Sequence, residues 1–371
     1  MIRITTNGTM RTYRSSLMRA SNNLSTARNK VLTERNFTTY VEDPAAATQA
    51  FKLRRAFSRN NDYLSNVKDL KSKFTAANTA IGTVEKYVTD AIHEMVDRAE
   101  NDPTGDGRDP LGQVLQSTAD SIIQTLNQRY GDCFLFAGSD GLNVPFSWNK
   151  QGELLFRGVP VDSGSATGLP QGTPPDPDAA DLDSYPGWAD YYENNPDFAK
   201  LARMSYEHTY VDVGSGLSEN ADGSLNPASA FDGALSGLNL IGYGVDADGD
   251  PKNAVSLIKR LGEIYSRCDP TTGGFADGDE EVAERLRGKL EDSLAGLQNA
   301  YVEQDSRCTY LDDTVDRLTD AGYSLSEQIT GIEQVDMADA ITEFLYANYC
   351  YNSALKVGSD ILSQSLIDYM R

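Results

Sequence analysis

The 371-residue chain carries 55 acidic residues against 33 basic ones, for a formal charge of -22, and is 39% hydrophobic and 24% charged. That is the composition of folded domains, with length for two or three of them, and the acidic surplus excludes the surfaces that bind nucleic acid or anionic membranes, which need Lys and Arg gathered on one face. No window approaches 18 uninterrupted apolar residues, so no membrane insertion is expected.

Residues 1 to about 40 repeat an apolar side chain every seven positions at Met10, Leu17, Leu24 and Val31, among Asn, Ser, Thr and Arg. This predicts a thinly apolar helix that folds poorly alone. The run Glu42-Asp-Pro-Ala-Ala-Ala breaks it and starts the next helix, with Asp43 as N-cap and Pro44 in the first turn. A long helix follows, marked by Leu64, Val67, Leu70, Phe74, Ala77, Ile81, Val84, Val88, Ile92 and Met95 at spacings of three and four. Pro, Gly and Asp residues from Asn101 to Pro110 stop it, and Leu111, Leu115, Ile122, Leu126 and Tyr130 begin a third helix that Gly131 is expected to end.

From Asp140 to Glu280 the composition changes to 23 acids, 8 bases and most of the prolines. Glu153-Leu-Leu-Phe-Arg, Thr209-Tyr-Val-Asp-Val and Leu238-Asn-Leu-Ile-Gly-Tyr are read as short strands, Pro170 to Pro177 as an exposed loop and Asp222-Gly223 as a hairpin turn. Helical spacing returns at Val255, Ile258, Leu261 and Tyr265. It pauses at Asp269 to Gly274 and then runs through Leu294, Leu297, Tyr301, Gln304, Cys308, Leu311, Val315, Leu318, Gly322, Leu325, Ile329 and Ile332. Only Gln304 and Gly322 interrupt this stripe, which would span roughly 57 Å as one helix and is narrow enough for coiled-coil packing. The last helix, from about Met337, spreads apolar residues over more than one face and needs covering.

The expected fold is therefore mainly α with an inserted β-rich domain (α+β), in which long N- and C-terminal helices pack as a coiled-coil-like rod. The boundaries are 1-45 for an N-terminal assembly helix, 46-139 and 253-328 for the two halves of the helical rod, 140-252 for an inserted outer domain and 329-371 for a C-terminal assembly helix. The rod core is assigned to Leu64, Val67, Phe74, Ile81, Val84, Val88, Leu297, Leu311, Val315, Leu318, Leu325 and Ile329. Residues 1 to 40 hold seven bases and one acid, whereas 326 to 371 hold seven acids and two bases. Opposite charge at the two ends favours pairing in trans, setting register more than strength. The expected assembly interface is Leu17, Leu24, Val31, Ile341, Phe344, Leu345, Leu355, Ile361, Leu362, Leu366 and Ile367.

Several of these segments, taken in order, resemble the flagellin superfamily: Ile2-Arg-Ile-Thr, Glu42-Asp-Pro-Ala-Ala-Ala with Leu53-Arg-Arg, Asn66-Val-Lys-Asp-Leu, Ile341-Thr-Glu-Phe through Ala354-Leu-Lys-Val, and the closing Ile361 to Arg371. Arg129-Tyr-Gly-Asp-Cys-Phe-Leu-Phe-Ala-Gly-Ser followed by Pro145-Phe is more similar to its hook-associated junction members than to filament flagellin. The resemblance implies a flagellin-like fold and a structural subunit of the bacterial flagellum, at the junction of hook and filament. It implies export without a cleaved signal peptide and an extracellular place. The partners it implies are copies of the chain in a helical ring, a neighbouring hook-associated junction protein, flagellin, and a cytoplasmic export chaperone on the C-terminal helix. The four cysteines and the poorly matching insert depart from the pattern.

No constellation for catalysis, cofactor or metal stands out. His93 and His208 lack any H-E-x-x-H spacing, and the chain has no G-x-S-x-G elbow or phosphate loop. Cys133, Cys268, Cys308 and Cys350 form no C-x-x-C pair and read as free thiols. Asp246-Ala-Asp248-Gly-Asp250 has carboxylates at the first, third and fifth positions of a calcium loop, but Pro251 replaces the needed glycine and Leu257 the closing glutamate. Asp-Gly turns account for it more simply.

Overall fold

The computed structural model describes residues 6–101, 107–179, 181–220, 225–269, 274–276 and 278–369, with the backbone alone at 6, 7, 9 and 361–369. The turn expected at Asp222-Gly223 lies outside the described residues, as do Ile2 to Thr5 and the middle of the 101–110 breaker. The chain divides into two units, residues 1–62 with 317–371, and residues 63–316.

In the first unit, α1 (Thr6–Thr33) packs antiparallel on α10 (Met337–Tyr369), Lys30 meeting Glu343 and Tyr13 facing Gly358. The unit also holds the start of α2 (Pro44–Asp90) and the end of α9 (Asp279–Glu333). Asp43 caps α2 by accepting the Ala45 and Ala46 amides at 3.1 and 2.9 Å. Its acceptor satisfies amides that the first helical turn leaves unpaired. Within this unit α2 and α9 are joined where the buried Asn60 donates to the Leu318 carbonyl at 2.8 Å.

Within the second unit, too, α2 and α9 run antiparallel: Asn78 donates to Asp305, Gln298 to Glu85, and Lys71 pairs with Asp312. Val67, Phe74, Ile81, Val84 and Val88 of α2 and Leu297 and Leu311 of α9 are buried, and Leu64 and Val315 half-buried. In the first unit Leu318 is buried, while Leu325 and Ile329 are half-buried. After Asp90 the chain makes six residues of π-helix, Ala91–Val96, before α3 (Asp97–Glu100). The wider turn shifts the apolar face, so Val96 and Ala99 are buried and Met95 is only half-buried. Helix α4 (Arg108–Leu126) packs on α8 (Ala254–Ser266), whose cap Asn253 accepts the Ser256 amide at 2.7 Å.

Gly131 does not end α4, which stops at Leu126 with Asn127 as its cap. With φ at 60° it turns the hairpin between β1 (Arg129–Tyr130) and β2 (Cys133–Phe134), a left-handed position that glycine occupies at little cost. Tyr130 is thereby an exposed strand residue and not part of the α4 stripe. The insert is built on an antiparallel sheet of β3 (Phe146–Trp148), β4 (Leu154–Phe156) and β5 (Val159–Pro160). Beside it lie helices α5 (Trp188–Asn194) and α6 (Pro196–Ser205), whose Trp188, Tyr191, Tyr192 and Phe198 form a separate aromatic core. Tyr192 and Tyr206 donate to the carbonyls of Pro175 and Pro174, so the proline segment expected to be exposed is tied down and Pro175 is buried. A last pair, β6 (Tyr210–Val211) with β7 (Phe231–Asp232), sets Phe231 against Phe74 and Tyr310. Leu238-Asn-Leu-Ile is not a strand but the helix α7 (Gly237–Ile241). Four apolar-rich residues fit either state, and tertiary packing decides.

Candidate assembly interface

The linker after α1 and the linker before α10 meet at a crossover. Between α1 and α2, Glu34 adopts φ of 56°, and its carbonyl accepts the Val335 amide at 3.2 Å. Asn36 donates its backbone amide to Glu333 O at 2.8 Å and its side-chain amide to Ile332 O and Gln334 O at 3.0 and 2.8 Å. These bonds satisfy carbonyls at the end of α9, which a helix C-terminus leaves free. Arg54 and Glu333 pair beside them. The corner into α2 is held by Glu42, whose carboxylate accepts the Thr38 and Thr39 amides; the Thr38 bond above all keeps its pKa below the usual value.

Beyond the crossover, the α1–α10 seam is made of small residues: Ala27, Ala340, Ala347 and Gly358 are buried. A Cβ at Gly358 would collide with the Tyr13 hydroxyl. Leu17, Leu24, Val31 and Phe344 are half-buried at the edges of this seam. Ile341, Leu345 and Leu355 are exposed, and the side chains of Ile361, Leu362, Leu366 and Ile367 lie outside the described residues.

The outer face is more apolar than those residues alone indicate. Tyr346 and Tyr349 are 70% and 72% exposed, and Val357 on α10, Met18 and Leu32 on α1, and Val41 and Phe51 near the start of α2 are exposed as well. The signal was present in sequence: Met18 and Leu32 each sit one place past a heptad position, so α1 has a second apolar edge. Between the helices runs an open groove of about 550 Å³, lined by Ser16, Arg19, Asn23, Glu343, Tyr346 and Cys350 among others. Among the described residues, Arg11, Arg14, Arg19 and Arg28 make no ion pair, whereas Lys30 meets Glu343 at 2.9 Å. The exposed Tyr346 and the unpaired Arg19 thus line one groove between the two helices.

The other sequence candidates resolve differently. Asp246, Asp248 and Asp250 do converge, but the Lys289 ammonium lies among them at 2.6, 2.9 and 2.6 Å, and Asp250 also accepts Arg285 at 2.8 Å. Burial opposes ionisation of Asp250, yet Arg285 and Lys289 outweigh it and hold its pKa below the usual carboxylate value. The acidic loop is thus neutralised from within the protein. His208 is bonded to Asp232 at 2.7 Å and His93 faces Asp97 at 3.3 Å, and all four cysteines are free. No helix of the described residues is long and apolar enough to cross a membrane.

This architecture of paired terminal helices and a mixed insert recurs in a solved structure. Among solved structures it matches a putative flagellar hook-associated protein from Vibrio parahaemolyticus with a TM-score of 0.53, covering 79% of this chain and 100% of that one at 16% identity. It also aligns with hook-associated protein 3 of Legionella pneumophila (TM-score 0.46, 10% identity, 76% and 98% covered) and with FlgL of Bacillus cereus (0.41, 14%, 75% and 99%). Likeness at this identity is one of fold. No protein-family model and no curated protein matches the sequence.

Proposed function

We propose that this chain is a structural, non-enzymatic subunit of the bacterial flagellum that forms the hook-filament junction by self-assembly of its terminal helices. The observation that carries the reading is the exposed surface of the α1–α10 pair, where Leu345, Tyr346, Tyr349 and Val357 stand in solvent and Arg19 lines a groove with Tyr346. Apolar surface of this kind in a helix pair is covered when copies associate. The fold shared with the Vibrio hook-associated protein supports the same reading. The partners are further copies in a ring, a neighbouring hook-associated junction protein and flagellin, with an export chaperone on α10 before assembly. The place of action is outside the cell.

The test is the double substitution Tyr346→Ser, Tyr349→Ser in the full chain. Both side chains are exposed, so the unfolding midpoint should hardly move, while incorporation at hook ends falls at least about tenfold. Unchanged incorporation would overturn the reading. Purified chain that grows long filaments by itself would favour filament flagellin over a junction subunit.

A further inference from the structure

Two residues interrupt the apolar stripe of α9, and the structure accounts for only one of them through protein contacts. Gly322 leaves room for Asn60: a Cβ there would lie 3.1 Å from the Asn60 amide nitrogen, which donates to Leu318 O. Gln304 has no such partner. It is 5% exposed, and its side-chain Nε2 is buried with no acceptor among the described residues. It lines a partly open cavity of about 150 Å³ with Ile81 of α2, Phe136 just after β2, and Leu235 and Ser236 of the insert. The Ser236 hydroxyl is likewise buried without a partner.

We infer that this cavity is a hydration site, in which ordered water accepts from Gln304 Nε2, bonds the Ser236 hydroxyl and so fastens the Ala234–Ser236 segment to α9. The chemistry selects the occupant. An apolar guest would leave both polar groups unsatisfied, at a cost native structures avoid. An organic anion finds no free charge, because Arg307 at the rim already pairs with Glu303 at 3.2 Å. Water supplies donors and acceptors together, and at about 30 Å³ each up to about five molecules fit.

The experiment starts from the unsubstituted full chain: a high-resolution crystal structure should show a water within hydrogen-bond distance of both Gln304 Nε2 and Ser236 Oγ. Density for both groups bonded to protein atoms, or xenon binding in the cavity under pressure, would overturn the inference. Gln304→Met keeps the length and removes the donor, and Ser236→Ala removes the hydroxyl. Because the two groups share no direct hydrogen bond, coupling between them runs through the water. The double variant should depart from additivity by about fivefold in the unfolding equilibrium constant, and additive effects would overturn the bridge. If Gln304→Met does not fold, the density on the unsubstituted chain still decides.

Discussion

Two helix pairs in this molecule, α4–α8 and α1–α10, are both seated on glycine, yet they place their large apolar side chains on opposite sides. In α4–α8 a Cβ on Gly112 would lie 2.6 Å from Gly262 O, and around that close approach Leu115, Ile122, Leu126, Val255, Ile258, Leu261 and Tyr265 are all buried. In α1–α10 the seam holds alanine and glycine while Leu345, Tyr346 and Tyr349 remain outside. The first pair is closed by its own side chains. The second pairs through small residues and leaves bulky apolar side chains in solvent.

That contrast can be broken most directly at the glycines. Gly112→Val meets backbone atoms that cannot step aside, and should cost about 3 kcal/mol in thermal or denaturant unfolding. Gly358→Ala meets the mobile end of Tyr13 and gains helix propensity of about 1 kcal/mol, so its net effect should be near zero. Equal losses at both sites would mean that α1–α10 is as tightly specified as α4–α8.

Charge offers the next comparison. Lys289→Met leaves three converging carboxylates without their central cation and should cost about 2 kcal/mol, partly recovered by salt. Lys30→Met removes an exposed pair with Glu343 and should cost under about 1 kcal/mol. Unfolding titrations in low and high salt measure both, and similar costs would deny that the second unit is the electrostatically closed one.

An effect smaller than those at Gly112 and Lys289 is expected at Asp162. Burial pushes its pKa up, although Ser256, Arg260 and Asn253 partly oppose it. The folded chain therefore holds this proton to higher pH than the unfolded chain, whose value is about 3.9, and stability is lost as pH rises through the folded pKa. Asp162→Asn keeps an acceptor for Asn253 and should raise the melting temperature at pH 7 by an amount equivalent to about 1 kcal/mol, with no gain near pH 3. An equal shift at both pH values would assign the effect to hydrogen bonding instead of charge.

Much of this was legible beforehand where local chemistry decides. Asp43-Pro44 starts α2, Asn253 precedes α8, and the three/four spacing after Leu294 follows α9. What escaped were features set by partners distant in sequence. Lys289 closes the Asp246–Asp250 loop from about 40 residues away, and Tyr192 and Tyr206 capture prolines upstream of them. The π-helical turn leaves no mark in a stripe that continues through Ile92 and Met95. The pairing of α1 with α10 was legible in its helices but less so in its faces. A helix apolar on several sides does not say which side its neighbour in the same chain covers, and here Phe344 is half-buried while Tyr346 and Tyr349 are not.

The crossover at Glu34, Asn36 and Glu333 to Val335 has a mechanical consequence. Because α1 and α10 run antiparallel from this point, the start of α1 and the end of α10 lie together at the far end of the pair, away from the stitched linkers. A load that separates the two ends peels the helices one contact at a time. A load that draws both ends the same way is instead shared by two strands anchored at a single root, the geometry in which short hydrogen-bonded segments bear tension together.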